Sequence, residues 1–294
     1  MNARALSLSA TASDFLSLTK PRLSSLVMVT MAGGMWLGNS QLSPVRTLTT
    51  LLAVACLVGG ANALNCFIER DVDRLMARTR NRPLPSGRMD PQLALWFGIL
   101  LAAVSLPTLS VEANPLTALL GCLAFLTYVC VYTPLKPRSY AAMLIGAVPG
   151  ALPPLMGWTA ATGRIDWPGL VLFAILFLWQ LPHFIAISIY RMEEYAAAGL
   201  KSLAVQRGTA ASRLHLLAYT VALVPVTLLP AVLRIAGPFY GVLALVLGVI
   251  ALGLAIRGVR GKLGNAWARQ VFRFSLLHLS LLFAGLWIDV GIRR

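Results

Sequence analysis

Three polar side chains recur at four-residue intervals near the end of an apolar segment of this 294-residue chain. They are Asn65, Glu69 and Asp73, and a helix that continues past the apolar segment places all three on one face. Two carboxylates and an amide in a row are oxygen ligands suited to Mg²⁺, which also takes the phosphate oxygens of a substrate. Six of the 25 basic residues fall in the same stretch, 62–88, and would bind an anion beside the metal. The row therefore predicts a metal site for a diphosphate.

The neighbouring Asp71 points to another side of such a helix, where Arg70 or Arg74 would pair with it. For Glu69 and Asp73 the alternative is a solvated helix end with salt bridges to nearby arginines. Placing an ionisable side chain within the membrane costs free energy, and such residues usually have a function. This favours the metal site.

A second set of polar residues interrupts the apolar segment 168–189. Trp179, Gln180 and His183 would form a polar pocket inside a helical bundle, although a hydrogen-bonded structural histidine is the alternative for His183. Glu194 follows His183 by eleven residues, close to three helical turns, so a continuous helix would bring both to a similar face.

Tyr132 and Lys136 form a third element at the end of the apolar segment 115–134. Pro134 and Pro137 would break the helix there. The two side chains would then reach the same phosphate group. The alternative is an interfacial tyrosine beside a lysine whose stem lies along apolar surface while its ammonium reaches water.

The elements that position these residues are apolar segments long enough to span a membrane. The chain is 58% hydrophobic and 12% charged, with a mean hydropathy of +0.76. About 20 apolar residues cross a bilayer as a helix. Nine such segments are predicted, at 23–42, 48–68, 92–110, 115–134, 140–160, 168–189, 214–233, 238–256 and 271–290. We therefore expect an all-α polytopic membrane protein, with about nine transmembrane helices in one bundle and residues 1–294 as a single transmembrane domain.

The basic residues predict the orientation of this bundle. With the N-terminus in the cytoplasm, 20 of the 25 Lys and Arg residues fall on the cytoplasmic side. Most of the positive charge is thus explained by topology, and nucleic acid is not an expected partner. The longer polar connections, 69–91, 190–213 and 257–270, also lie on this side, which predicts a cytoplasmic working face.

The motifs of this sequence resemble those of a known family. The row of three matches the NxxxDxxxD motif of the UbiA-type intramembrane prenyltransferases. Four blocks between residues 62 and 199 are similar, in order, to the protoheme IX farnesyltransferases, or haem O synthases, of that family: NCFIERDVDRLMARTRNRPLPSGR, YTPLK, IGAVPGALPPLMGW and WQLPHF…EEYAAAG. The chain departs from the family pattern at Glu69 and Glu194, where Asp is usual, at Ala142, where Asn is expected, and at 201–204, where Pro-Met-Leu-Pro is usual.

The resemblance implies transfer of the farnesyl group of farnesyl diphosphate to a vinyl group of haem b, giving haem O and diphosphate, with Mg²⁺ as cofactor. It implies a multi-pass protein of the bacterial inner membrane, in contact with membrane lipids and with factors that assemble terminal oxidases. It implies catalytic roles for Asn65, Glu69, Asp73, Lys136 and His183, with His183 orienting haem or managing a proton, and it implies three groups of binding residues. These are Asn65, Glu69, Asp73 and Glu194 for the metal, Arg78, Arg82, Lys136, Tyr132 and Lys201 for the diphosphate, and Trp179, Gln180 and His183 for the haem pocket.

Two other functions fit parts of this pattern. A prenyltransferase acting on an aromatic quinone precursor would share the metal site but would not need the WQLPHF block. A transporter of an anionic lipid or metabolite is the rival of another class. Transporters place their binding sites near the bilayer midplane, whereas the charges here cluster at the predicted cytoplasmic edge.

Overall fold

A computed structural model describes residues 11–261 and 263–294 of the chain. The side chains of Arg22 and Leu23 are not described. Arg4 and Lys262, both counted in the predicted cytoplasmic charge, lie outside the described residues, as does the side chain of Arg22.

The described ranges fold into helices and contain no strand, which confirms the all-α prediction. The helices are α1 Ala12–Leu18, α2 Pro21–Leu37, α3 Pro44–Arg74, α4 Pro91–Glu112, α5 Pro115–Leu126, α6 Thr133–Leu135, α7 Ala142–Thr162, α8 Trp167–Tyr190, α9 Met192–Ala197, α10 Leu203–Val232, α11 Pro238–Arg260 and α12 Asn265–Arg293. A π-helical segment, Thr127–Tyr132, joins α5 to α6.

All nine predicted segments are helical, but they are not equally long. In the described ranges, eight helices are long and apolar enough to cross a membrane. The first predicted segment, 23–42, forms the 17-residue α2, whose apolar part is shorter, Ser24–Leu37. The placement of the N-terminus in the cytoplasm stays a prediction.

The predicted polar connection 190–213 is partly helical. It contains the short helix α9 and the first turns of α10, which begins at Leu203 after the N-cap Ser202, whose hydroxyl accepts from the Val205 backbone N–H. Gly208 interrupts these first turns with a backbone φ of +77°, a conformation that glycine adopts without steric cost. The chain also leaves helical geometry at Arg191, so α8 and α9 are separate helices.

Two helix pairs pack with their backbones in close contact. A Cβ atom added to Gly157 of α7 would overlap the Met31 carbonyl oxygen of α2, and one added to Gly60 of α3 would lie 2.8 Å from the Gly98 carbonyl oxygen of α4. Small residues allow such approaches between membrane helices. On its other side, α7 packs against α8. Helix α7 therefore packs against both α2 and α8.

Candidate functional site

The predicted row lies on one continuous helix. Helix α3 runs through to Arg74, so it includes Asn65, Glu69 and Asp73 on successive turns. The three are buried, with exposed fractions of 2%, 8% and 1%. These side chains therefore do not form a solvated helix end, and each needs a polar partner inside the protein.

Each member of the row meets a cationic side chain from a different part of the chain. Lys136 Nζ lies 2.9 and 3.0 Å from the two carboxylate oxygens of Glu69. Arg82 Nη1 donates to Asp73 Oδ2 at 2.8 Å. Lys20 Nζ donates to the amide oxygen of Asn65 at 2.7 Å, while the Asn65 amide nitrogen donates to Thr133 Oγ1 at 3.1 Å.

The π-helical segment brings Thr133 and Lys136 to this row. Such wide turns are rare, and they occur frequently at functional sites. Within it, Tyr132 stacks on Tyr128 with ring centroids 5.3 Å apart. The Tyr132 ring also occupies the space left by Gly146, where an added Cβ would lie 2.6 Å from it. The Tyr132 ring therefore packs against Gly146 of α7. Tyr132 is four residues before Lys136, with which it is predicted to bind a phosphate group.

The two lysines differ in their electrostatic surroundings. Burial disfavours the ammonium of Lys136, but the Tyr132 hydroxyl and the Glu69 carboxylate outweigh this and raise its pKa above the ordinary value. Burial lowers the pKa of Lys20, and the nearby cations Arg82 and Lys136 act in the same direction. Lys20, Arg82 and Lys136 thus lie within electrostatic range of one another around the row.

Asp71 behaves as the sequence predicts. Its side chain is 70% exposed and pairs with Arg74 at 3.4 Å and with Arg70 at 3.9 Å. It lies outside the buried row, although it is only two positions from Asp73.

The second acidic cluster is arranged differently from the prediction. Because the helix breaks at Arg191, His183 and Glu194 do not share the face of one continuous helix. Arg191 Nη1 donates to Glu194 Oε2 at 2.6 Å, and Arg78 Nε lies 3.8 Å from Glu194 Oε1. Lys201 is exposed and has no hydrogen bond or ion pair within 11–261 and 263–294, so the structure does not bring it to the row.

The three predicted haem-pocket residues pack together in α8 and all are buried. Trp179 Nε1 donates to the Ser275 carbonyl at 2.7 Å, and Gln180 Nε2 donates to the carbonyls of Leu176 and Ala147. His183 Nδ1 lies 2.7 Å from Ser275 Oγ, whose own hydrogen goes to the Phe272 carbonyl. In a neutral imidazole Nδ1 must then be the donor, which leaves Nε2 as the acceptor nitrogen.

The oxygens of the row suit a hard divalent cation by chemistry. No three His, Cys, Asp or Glu side chains in the described part of the chain form a metal-binding group, and the row supplies two carboxylates plus an amide. Mg²⁺ keeps several waters and shares phosphate oxygens with its substrate, so two carboxylates and an amide fit it. The inclusion of Glu194 in the metal set stays a prediction.

Comparison with known proteins decides the family. A model of the UbiA prenyltransferase family matches residues 26–277. The chain belongs to the UbiA prenyltransferase family. It is similar to the protoheme IX farnesyltransferase of Myxococcus xanthus (strain DK1622), with 62% identity over 289 residues that cover 98% of each chain. The prediction of a prenyltransferase is therefore confirmed.

Solved structures of UbiA-type proteins share this fold. A digeranylgeranylglyceryl phosphate synthase superposes with a TM-score of 0.82 at 19% identity, covering 95% of this chain and 98% of that one. A UbiA homologue from Archaeoglobus fulgidus bound to GPP and Mg²⁺ gives 0.67 at 20% identity, covering 93% and 99%. At these identities the likeness concerns the fold alone.

Three residues that contact the predicted site residues are not predicted from the sequence. The sequence explains Lys20 as one of the basic residues on the predicted cytoplasmic side, and it gives no role to Thr133 or Ser275. A lysine followed directly by Pro21 at the start of an apolar helix is a detectable signal for the first. Thr133 and Ser275 act through tertiary contacts with residues 68 and 92 positions away, for which the sequence carries no local sign.

Proposed function

We propose that this protein transfers the farnesyl group of farnesyl diphosphate to a vinyl group of haem b, forming haem O and diphosphate. The observation that carries the donor half is the buried row on α3, in which two carboxylates and an amide each meet a cationic side chain. The acceptor half is supported by similarity to a relative named protoheme IX farnesyltransferase.

The charged pairs of the row can exchange partners when the diphosphate binds. Lys136 and Arg82 neutralise Glu69 and Asp73 in the structure described. If Asn65, Glu69 and Asp73 hold Mg²⁺, the two cations are released to bind phosphate oxygens as these gain charge. Bound Mg²⁺ would itself stabilise the negative charge of the leaving diphosphate. Arg78, on the segment after α3, extends the cationic surface toward Glu194.

The bond changes of the reaction place demands on the apolar bundle. The C1–O bond of the farnesyl group breaks and its electron pair leaves with the diphosphate, while the vinyl carbon of haem bonds to C1. Water then adds to the carbocation left on the other vinyl carbon and gives up one proton, which leaves the hydroxyethyl group. Before that step, the helices must exclude water from the allylic cation. Trp179, Gln180 and His183 are proposed to line the haem pocket, where His183 Nε2 is an acceptor that can orient haem or take a proton.

We also propose where the protein is located in the cell. The protein is placed in the bacterial inner membrane with the row at the cytoplasmic face, on the support of the asymmetric basic residues. The single transmembrane prenyltransferase domain over 1–294 belongs to this proposal. The association with terminal oxidase assembly factors stays a prediction.

A matched pair of variants tests the function directly. Purified protein in lipid bilayers receives Mg²⁺, farnesyl diphosphate and haem b, and the products are read by mass spectrometry. We expect hydroxyethylfarnesyl haem from the wild type and loss of at least about 100-fold in rate for Asp73→Asn, because a ligand of the reaction centre loses its charge. Asp71→Asn makes the same change two residues away on an exposed side chain and should stay within about twofold.

Each contrary outcome has its own meaning. Release of diphosphate without any haem product would show that the acceptor is another molecule, such as an aromatic quinone precursor. Equal activity of Asp73→Asn and Asp71→Asn would show that the row takes no part in the reaction. Counterflow of substrate across the bilayer without bond cleavage would establish a transporter instead.

A further inference from the structure

Lys20 is the cation of the row that lacks a negatively charged partner. Lys136 is paired with Glu69, and Arg82 with Asp73. In the described part of the chain, the hydrogen-bond partner of the Lys20 ammonium is the uncharged amide oxygen of Asn65. A half-buried ammonium held only by a neutral oxygen is poorly compensated for the water it loses. An anion bound between the three cations would supply the missing charge.

The backbone at Lys20 has a strained conformation. Lys20 has φ 49° and ψ 61°, the left-handed conformation that residues with a Cβ rarely adopt, and it directly precedes Pro21 at the start of α2. Such conformations cost of order 1–3 kcal/mol and are frequent at ligand sites. Asn62, one turn before Asn65 on α3, donates to the Thr19 carbonyl at 3.2 Å and so fixes the junction to the same row.

An orientation signal would not need this arrangement. A lysine that only marks the cytoplasmic side of α2 can extend its ammonium into water or toward lipid head groups. Lys20 instead turns inward, 2.7 Å from a predicted metal ligand and within electrostatic range of Glu69, Arg82 and Lys136.

We propose that Lys20 is a third cationic ligand of the diphosphate. It is held by the Asn65 amide oxygen, and it would be free to donate to a phosphate oxygen if that amide oxygen helped to hold Mg²⁺. This inference rests on the proposed function and adds a binding residue to it. With two carboxylates, three cations and one Mg²⁺, the row would carry a net charge of +3, which matches a prenyl diphosphate trianion.

Two neutral variants separate a ligand from a positioning residue. Lys20→Met removes charge and hydrogen bond together, whereas Lys20→Gln keeps a donor for Asn65 and removes only the charge. Arg257→Met is the control, because it removes one cation from an exposed position at the end of α11. Binding of Mg²⁺ alone, and of inorganic diphosphate with Mg²⁺, is measured by calorimetry on the full-length protein in lipid nanodiscs, and thermal unfolding reports whether each variant is folded.

If Lys20 binds the diphosphate, both variants weaken diphosphate binding by about tenfold or more, the loss expected for one charge-assisted hydrogen bond. Their affinity for Mg²⁺ alone should be unchanged or tighter, because a neighbouring cation has been removed. Arg257→Met should bind both probes as the wild type does.

Three results would overturn the inference. A parallel weakening of Mg²⁺ and diphosphate binding in Lys20→Met, with normal binding in Lys20→Gln, would make Lys20 a positioning residue for Asn65. Wild-type diphosphate affinity in both variants would exclude Lys20 as a ligand while leaving the proposed function intact. Failure of the wild type itself to bind diphosphate with Mg²⁺ would instead count against the proposed function.

Discussion

The row on α3 and the polar cluster on α8 both interrupt apolar helices, yet they are built from different interactions. On α3, Glu69 and Asp73 meet cations that come from separate segments of the chain. On α8, Trp179 and Gln180 donate to backbone carbonyls, and His183 contacts the hydroxyl of Ser275. The first region is charged and the second is neutral.

The difference indicates how each region can respond to a ligand. Ion pairs between long side chains can exchange partners when an anion and a metal arrive, because every charge finds a new counter-charge. Hydrogen bonds to fixed backbone carbonyls cannot be exchanged in this way without leaving buried polar groups unpaired. We therefore expect the α3 row to rearrange on binding and the α8 cluster to act as a fixed wall.

The largest effect should come from neutralising one partner of a pair on α3. Lys136→Met leaves the Glu69 carboxylate buried without its partner, which should cost about 3 kcal/mol in the free energy of unfolding. Activity should fall at least about 100-fold, because a cation that stabilises the leaving diphosphate is lost. Unfolding in denaturant and the farnesyl transfer assay measure the two quantities.

The double variant Glu69→Met with Lys136→Met is the control for this experiment. Replacing both charges by side chains of similar volume should restore most of the stability, since no unpaired charge is left. Activity should stay low. A double variant that regained activity would show that the pair of Glu69 and Lys136 is structural. The α3 row would then not differ from the α8 cluster in its response to a ligand.

A smaller effect is expected at the α8 cluster. Ser275→Ala removes the hydroxyl partner of His183 but keeps the carbonyl that accepts from Trp179. Loss of this hydrogen bond should cost about 1 kcal/mol in stability. If His183 faces haem, the KM for haem should rise several-fold while the KM for farnesyl diphosphate stays constant.

Ser188→Ala provides the comparison for Ser275→Ala. Ser188 is also buried, and its hydroxyl donates within α8 to the Ile185 carbonyl. This variant should leave both KM values unchanged. Equal changes in the two substrates' KM values for Ser275→Ala would mean that the α8 cluster does not discriminate between haem and the prenyl donor.

The smallest effect is expected at Lys201, where the sequence and the structure suggest different roles. Lys201→Ala removes an exposed charge without a partner among the described residues. Solvent screens such charges, so the structure predicts a change of no more than about twofold in the KM for farnesyl diphosphate. A tenfold increase would support the diphosphate role predicted from the sequence and would require the segment before α10 to move toward the row.

Helices and the row were predictable because both depend on local spacing. Apolar length predicted every spanning helix, and the four-residue interval placed Asn65, Glu69 and Asp73 on one face of α3. The break between α8 and α9 was not predictable from spacing, since Arg191 leaves helical geometry without a proline or glycine beside it.

The partners of the row were only partly predictable. Arg82 and Lys136 were assigned to the diphosphate, but their pairing with Asp73 and Glu69 depends on how separate segments meet. Lys20 was missed for a related reason. The positive-inside rule already accounts for a lysine at the start of α2. The sequence alone therefore does not indicate a second role for Lys20.

The π-helical segment has a consequence for insertions and deletions. Each residue in an α-helix advances by about 100°, so removing one residue from Thr127–Tyr132 would rotate everything that follows by about that angle. Thr133 and Lys136 would then turn away from Asn65 and Glu69 together. A single in-frame codon deletion in this stretch should therefore abolish the reaction while leaving the helix intact, whereas most single substitutions there should not.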